Sequence, residues 1–176
     1  MERVEIPYTD HFDGVMKALT GGGLLLGAHD ARGRPNAMTI GWGAIGSIWS
    51  MPMWVVLVRP SRYTYECVEH GDCFTVNVPA AGMDEALAIC GSRSGRDGDK
   101  LADAGLTPAD AVKVPAPTFA ECPIVYECVV VHRNDVQPAA LIPEIAKGPY
   151  ADGDYHRVYY GRILAARAAE NAADLL

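Results

Sequence analysis

The chain has no excess of positive charge: Lys and Arg number 15 against 22 Asp and Glu, a formal net charge of -7. A nucleic-acid partner would require a basic face against the phosphate backbone, so the composition argues against one while allowing a local basic pocket. The five cysteines, at 67, 73, 90, 122 and 128, form an odd set without a Cys-x-x-Cys pair. That spacing suggests neither a disulfide framework nor a metal site, and predicts reduced thiols. No apolar run approaches the ~20 residues of a membrane helix. The first residues are neither basic nor apolar enough for a leader, so the expectation is a cytoplasmic protein with no membrane partner. Internal repeats and low-complexity tracts are also missing.

What is present suits one domain. At 176 residues, 49% hydrophobic and 21% charged, the chain can bury a core without staples. Asp10 is placed to cap a helix carrying Phe12, Val15, Met16 and Leu19 on one face, ended by Gly21-Gly22-Gly23. Strand patterns follow. Leu24 to His29 and Asn36 to Trp42 flank the turn Asp30 to Gly33 as a hairpin, and Met53 to Val58 reads as a buried strand. After Pro60, Ser61 or Thr64 can cap a short helix that Gly71 stops. Cys73 to Val78 is a further strand, Met83 to Ile89 and Asp99 to Ala104 are helical, and Pro123 to His132 and His156 to Ala166 are the last strands. Pro138 to Lys147 is a helical or irregular excursion between them. Adjacent strands separated by turns predict a mainly β fold, an antiparallel barrel with helical insertions. The domain is expected over 1–166, followed by an alanine-rich tail, 167–176.

One fingerprint misleads. Gly41-Trp-Gly43-Ala-Ile-Gly46 matches Gly-x-Gly-x-x-Gly, and Glu66 follows at about the distance where a dinucleotide fold places its ribose acid. A Rossmann turn must open a helix, whereas Ser47 to Pro52 carries β-branched and aromatic residues and a proline. These glycines instead suit strand backbone passing close to a ligand or neighbouring chain. Gly91-Ser-Arg-Ser-Gly95 likewise puts Arg93 where a nucleophile elbow needs serine.

The chemistry-bearing residues are cations and hydroxyls. Arg59, Ser61, Arg62 and Thr64 combine guanidinium forks and hydroxyl donors at the start of a predicted helix, a set that can grip a phosphate. Ser94 to Lys100 is a second glycine-relaxed cationic loop, with Lys100 as a point charge. Asn36, Met38 and Thr39 lie on a strand whose amides can meet the polar edge of a flat cofactor while methionine and tryptophan cover its faces. Trp42, Trp49 and Trp54 can equally be core. His156, at the entry to a strand, either faces a pocket or lies on the surface. Cys90, beside the Gly91 to Gly95 loop, reads as an ordinary buried thiol.

Four blocks, Asn36 to Trp49, Arg59 to Glu66, Ser94 to Lys100 and Gly153 to Ile163, together resemble the flavin reductase-like family, the FMN-binding split β-barrel group that includes flavoredoxins. The likeness runs from about Glu2 to Ala166. It implies an antiparallel split β-barrel of FMN-binding type and a homodimer with FMN near the dimer interface. It also implies electron transfer from NADH, NADPH or a redox protein partner through the flavin. Carried over residue by residue, it places Asn36, Ala37, Met38 and Thr39 along the flavin ring and ribityl chain. Arg59, Ser61, Arg62, Tyr63 and Thr64 fall around ribityl and phosphate, and Ser94, Gly95 and Lys100 close the phosphate side. His156 approaches the ring or the nicotinamide, and is the one candidate catalytic residue. Ala44, Gly98 and Leu101 depart from the family pattern. The alternatives are a flavin-binding electron carrier that does not react with NAD(P)H, and a binding protein for another flat cofactor such as haem, for which His29, His70 or His132 would be axial ligands outside any recognisable motif.

Overall fold

A computed structural model describes residues 1–176. Its first half contains strands β1 (Val4–Glu5), β2 (Leu24–His29), β3 (Pro35–Ile40), β4 (Gly43–Ile48), β5 (Met51–Val58) and β6 (Cys73–Val78). The second half adds β7 (Pro108–Asp110), β8 (Pro117–Phe119), β9 (Ile124–Asp135) and β10 (Arg157–Ala168). The helices are α1 (Phe12–Thr20), α2 (Tyr63–Gly71), α3 (Asp84–Ser92), α4 (Lys100–Asp103), α5 (Pro143–Lys147) and α6 (Ala172–Leu175). None is long and apolar enough to cross a membrane.

The main sheet runs in the order β3-β2-β6-β9-β10-β5-β4, with β1 attached to β10 and every pairing antiparallel. Its two end strands, β3 and β4, are consecutive in sequence yet not paired. The chain crosses between them through Gly41 and Trp42, so the barrel is split there.

Local chemistry explains the turns. Asp30 accepts from the amides of Arg32 and Arg34 at 2.8 and 2.9 Å and closes the β2–β3 hairpin. The glycine-rich run begins in the crossing at Gly41 and continues into β4, which enters a two-residue hairpin loop, Trp49-Ser50, with φ of 53° and 58°. Two successive left-handed residues match the twist of the flanking strands, so the dinucleotide imitation resolves as a β-hairpin.

Because successive side chains on a strand point to opposite faces, β2 serves two cores. Leu24 and Leu26 join Phe74, Trp54, Tyr126 and Tyr159 inside the barrel, while Leu25 packs with Ala37, Leu87, Phe119 and Val125 beneath α3 and α4. Each buried leucine contributes ~1.5–3 kcal/mol. Glu127, fully buried on β9, accepts from Arg167 at 2.8 Å and from the amides of Val112 and Lys113 at 2.9 and 2.6 Å. It thereby fastens the 111–116 loop to the barrel.

Several boundaries differ from expectation. His11, in a left-handed conformation, precedes α1 in place of Asp10 and makes no side-chain cap. Neither Ser61 nor Thr64 caps α2: Arg62 is the flanking residue, and both hydroxyls have other partners. β10 continues through Ala168, and Ala172 of α6 is wholly buried, so part of 167–176 belongs to the core.

Candidate functional site

Two adjoining cavities lie along the split. The larger, of about 400 Å³, is cationic and lined by residues including Arg59, Arg62, Thr64, Ser94 and Lys100. The smaller, of about 190 Å³, is lined by Met38, Thr39, Trp42, Leu57 and His156. Met38, Arg59 and Arg62 border both, so the two form one groove with a charged end and an apolar, aromatic end.

The charged end is built by strand β5, the start of α2 and the loop into α4. Lys100 is 5% exposed, and its Nζ reaches only the Arg93 carbonyl, at 3.3 Å. Burial lowers its pKa, and Arg62 adds to that, against the opposing influence of the Cys90 and Cys67 thiols. Burial in turn raises the pKa of Cys90, with Lys100 pulling the other way, so the thiol is held protonated. Arg62 donates to the Gly91 carbonyl at 3.3 Å. None of Lys100, Arg59 and Arg62 has a carboxylate within ion-pair distance. With no side-chain cap, the N-terminus of α2 adds its dipole to the same region.

Arg59 is also a tether. Its Nη1 donates to the carbonyls of Gly153 and Asp154 at 3.2 and 2.9 Å, and its Nη2 to that of Pro149 at 2.8 Å. The guanidinium lies over the Tyr150 ring, 5.3 Å from its centroid. Ser61 Oγ donates to Asp154 Oδ2 at 2.6 Å. Segment 149–154 is thus strapped along the cavity by the β5–α2 turn.

At the other end His156 is buried, not a surface residue. Its Nδ1 lies 2.9 Å from the Tyr150 hydroxyl, and its ring is 5.0 Å from that of Trp42. Burial, then the charge of Arg59, lower its pKa to about 4 despite Asp154. It is therefore neutral at pH 7. The tautomer in which Tyr150 donates to Nδ1 would carry its proton on Nε2 and make His156 an uncharged donor.

The structure brings most of the sequence-derived residues together, with exceptions. Met38, Arg59, Ser61, Arg62, Tyr63, Thr64, Ser94 and Lys100 line the larger cavity, and Thr39 and His156 the smaller. Thr39 Oγ1 donates to the Leu87 carbonyl at 2.6 Å and Tyr63 Oη to Asp30 at 2.8 Å, so both hydroxyl protons are committed within the protein. Asn36, Ala37 and Gly95 border neither cavity. Ala37 is wholly buried in the second core, while Met38, on the opposite face of the strand, packs with the barrel core and borders both cavities. Asn36 lies behind Thr64. A Cβ on Gly95 would stand 2.5 Å from Asn36 Oδ1 and 3.0 Å from the Tyr63 ring, so glycine there permits close packing of the loop. His29, His70 and His132, the axial-ligand candidates for haem, line neither cavity.

Sequence reasoning passed over Arg93 and Arg96, which line the larger cavity yet pair outward with Asp103 and Glu66. The basic character of their loop was the available signal. It also missed the 149–154 strap, for which no local pattern exists.

A family model described as the flavin reductase like domain matches residues 16–176. The flavoredoxin of Desulfovibrio vulgaris (Miyazaki F) superposes with a TM-score of 0.68 at 26% identity, covering 84% of this chain and 69% of that one. The flavoredoxin of Methanosarcina acetivorans gives 0.65 at 28% identity, with 84% and 68% covered. An uncharacterized protein of Archaeoglobus fulgidus is 31% identical over 98 residues, 56% of this chain; the chain spans only 55% of that relative. From the match over nearly its whole length and the split antiparallel barrel, the chain belongs to the flavin reductase-like family.

Proposed function

We propose that the chain is an FMN-binding oxidoreductase of the flavin reductase or flavoredoxin type, passing electrons from NADH, NADPH or a redox protein through the flavin. One observation carries the reading: three cations without carboxylate partners line one end of a groove whose other end is apolar and aromatic. A phosphate answers the first end, and a flat ring the second. The residues fit FMN on chemistry: Arg62, Lys100, Thr64 and the α2 N-terminus would hold the phosphate, while Met38, Trp42 and Leu57 would pack against the ring.

Bound FMN would supply hydride acceptance at N5 and onward delivery of electrons. The protein binds, orients and excludes water. His156, neutral and fixed by Tyr150, would offer its Nε2 proton to a ring heteroatom or to the substrate, and needs no change of charge to do so. Arg59 would keep the 149–154 strap over the groove.

We further propose a homodimer. Trp49, 59% exposed, packs with His132 and Tyr160 on the outer barrel wall beside exposed Val131, a patch suited to a second copy. Five buried thiols with no disulfide accord with a cytoplasmic location.

The test is the visible spectrum of purified protein with FMN, followed by rapid mixing with NADH and with NADPH. Bleaching of bound flavin by either supports the reductase reading. Tight FMN binding without bleaching supports a carrier fed by a redox protein, and failure to bind FMN at micromolar concentration refutes the proposal.

A further inference from the structure

Asn36 sits on β3 behind the charged cavity. Its residue is 3% exposed, and its Nδ2 donates to Thr64 Oγ1 at 2.8 Å. Thr64, itself 1% exposed, lines the cavity beside Arg62 and Lys100. A hydroxyl has one proton to donate as well as lone pairs to fill. The Asn36 amide takes a lone pair of Thr64, which leaves the hydroxyl proton for a different acceptor. In the amide orientation that turns Nδ2 to Thr64, Asn36 is the donor and offers that proton no acceptor. A phosphate oxygen held by the neighbouring cations is the matching group, and a hydrogen bond to such a charged acceptor is of the stronger kind.

The other end of the amide is unusual. Asn36 Oδ1 is buried without a hydrogen-bond partner, although buried polar side chains nearly always have one. It lies against Gly95, where any Cβ would stand 2.5 Å away, so the Ser94–Gly98 loop rests directly on it. One carboxamide therefore touches both walls of the cavity: the first turn of α2 through Thr64, and the second cationic loop through Gly95.

We infer that Asn36 is a positioning residue for the flavin phosphate, orienting the Thr64 hydroxyl so that its proton points to the phosphate. It acts through Thr64 and does not lie along the ring. Selection of FMN over riboflavin then depends on a residue that touches neither. This inference rests on the FMN reading above.

The test compares FMN and riboflavin affinities, by quenching of flavin fluorescence, for the full chain and for Asn36→Ala, Thr64→Val, the double variant and Thr64→Ser. Each of the first two should weaken FMN about tenfold and leave riboflavin unchanged. The double variant should lose no more than either single one, because both break one linkage. Thr64→Ser, which keeps the hydroxyl, should retain the preference for FMN. Thr64→Val interrupts the same linkage with a near-isosteric side chain, so it reports even where Asn36→Ala does not fold. Equal weakening of both flavins by either single variant, or additive losses in the double, would overturn the positioning role while a wild-type preference for FMN stands. A wild-type chain that binds the two flavins equally would overturn this inference together with the FMN reading.

Discussion

Arg167 and Lys100 are both drawn largely out of water, but Arg167 meets a carboxylate and Lys100 does not. Arg167 donates to Glu127, which is wholly buried and takes two backbone amides besides. A similar closed set lies at the other end of β10, where Arg157 pairs with Asp135 at 2.7 Å and with Glu69 at 3.2 Å. Lys100 has one carbonyl at 3.3 Å, with Arg59 and Arg62 as cationic neighbours along the cavity. A buried charge without a counter-charge opposes folding, so such a cluster makes physical sense where a ligand brings the missing charge. We read the first arrangement as scaffold and the second as the proposed phosphate site. Their difference gives opposite expectations for the same kind of substitution.

The largest effect is expected at the scaffold pair. Arg167→Ala leaves Glu127 buried and uncompensated and should destabilise the fold by ~3–5 kcal/mol, read by chemical denaturation. Lys100→Met, by contrast, removes a charge that burial already disfavours, and the flavin-free protein should be no less stable than wild type while its FMN affinity falls. A large loss of stability from Lys100→Met would erase the distinction between the two clusters.

A smaller effect is expected at the mouth of the groove. Arg62→Ala should weaken FMN by roughly tenfold or more and leave riboflavin unaffected, since only FMN carries the phosphate. Equal losses for the two flavins would remove the phosphate assignment.

His156 provides a test in pH. Its pKa is lowered to about 4 in the fold from the ordinary 6.5, so the unfolded chain takes up a proton first as the pH drops. Wild-type stability should therefore fall as pH falls from about 6.5 to about 4, and this part of the fall should be missing in His156→Gln. Superimposable pH profiles for the two would contradict a buried neutral imidazole. The smallest effect is predicted for the exposed Arg93–Asp103 pair, with side chains 57% and 53% exposed, where Arg93→Ala should change stability by less than ~1 kcal/mol.

The sequence revealed what is local. The apolar run Leu24 to His29, the β-branched run in β5 and the turn at Asp30 to Gly33 each carry their own signal, and each forms as expected. The bounds of β4 are not legible, because its glycines weaken the strand pattern and its hairpin turns on Trp49-Ser50 rather than on a glycine pair. β1, β7 and β8, of two or three residues each, are too short to show a period.

Within the site, the residue types identified Arg59, Arg62 and Lys100, since clustered cations are visible in one dimension. Their partners were not. The Arg59 contacts to segment 149–154 span more than 90 residues of sequence for two of the carbonyls, Gly153 and Asp154, and the amide of Asn36 finds Thr64 only once β3 and α2 are packed. The one-residue difference between Ala37 in the second core and Met38, which packs in the barrel core and borders the groove, is set by the pleat and by which face α3 covers.

The central claim is that the cations without carboxylate partners hold the phosphate of a flavin. Titration of the purified protein with FMN and with riboflavin, each at low and at high salt, tests it directly. FMN should bind more tightly than riboflavin, and the advantage should shrink as salt screens the site. Equal affinity for the two flavins, unaltered by salt, would contradict it.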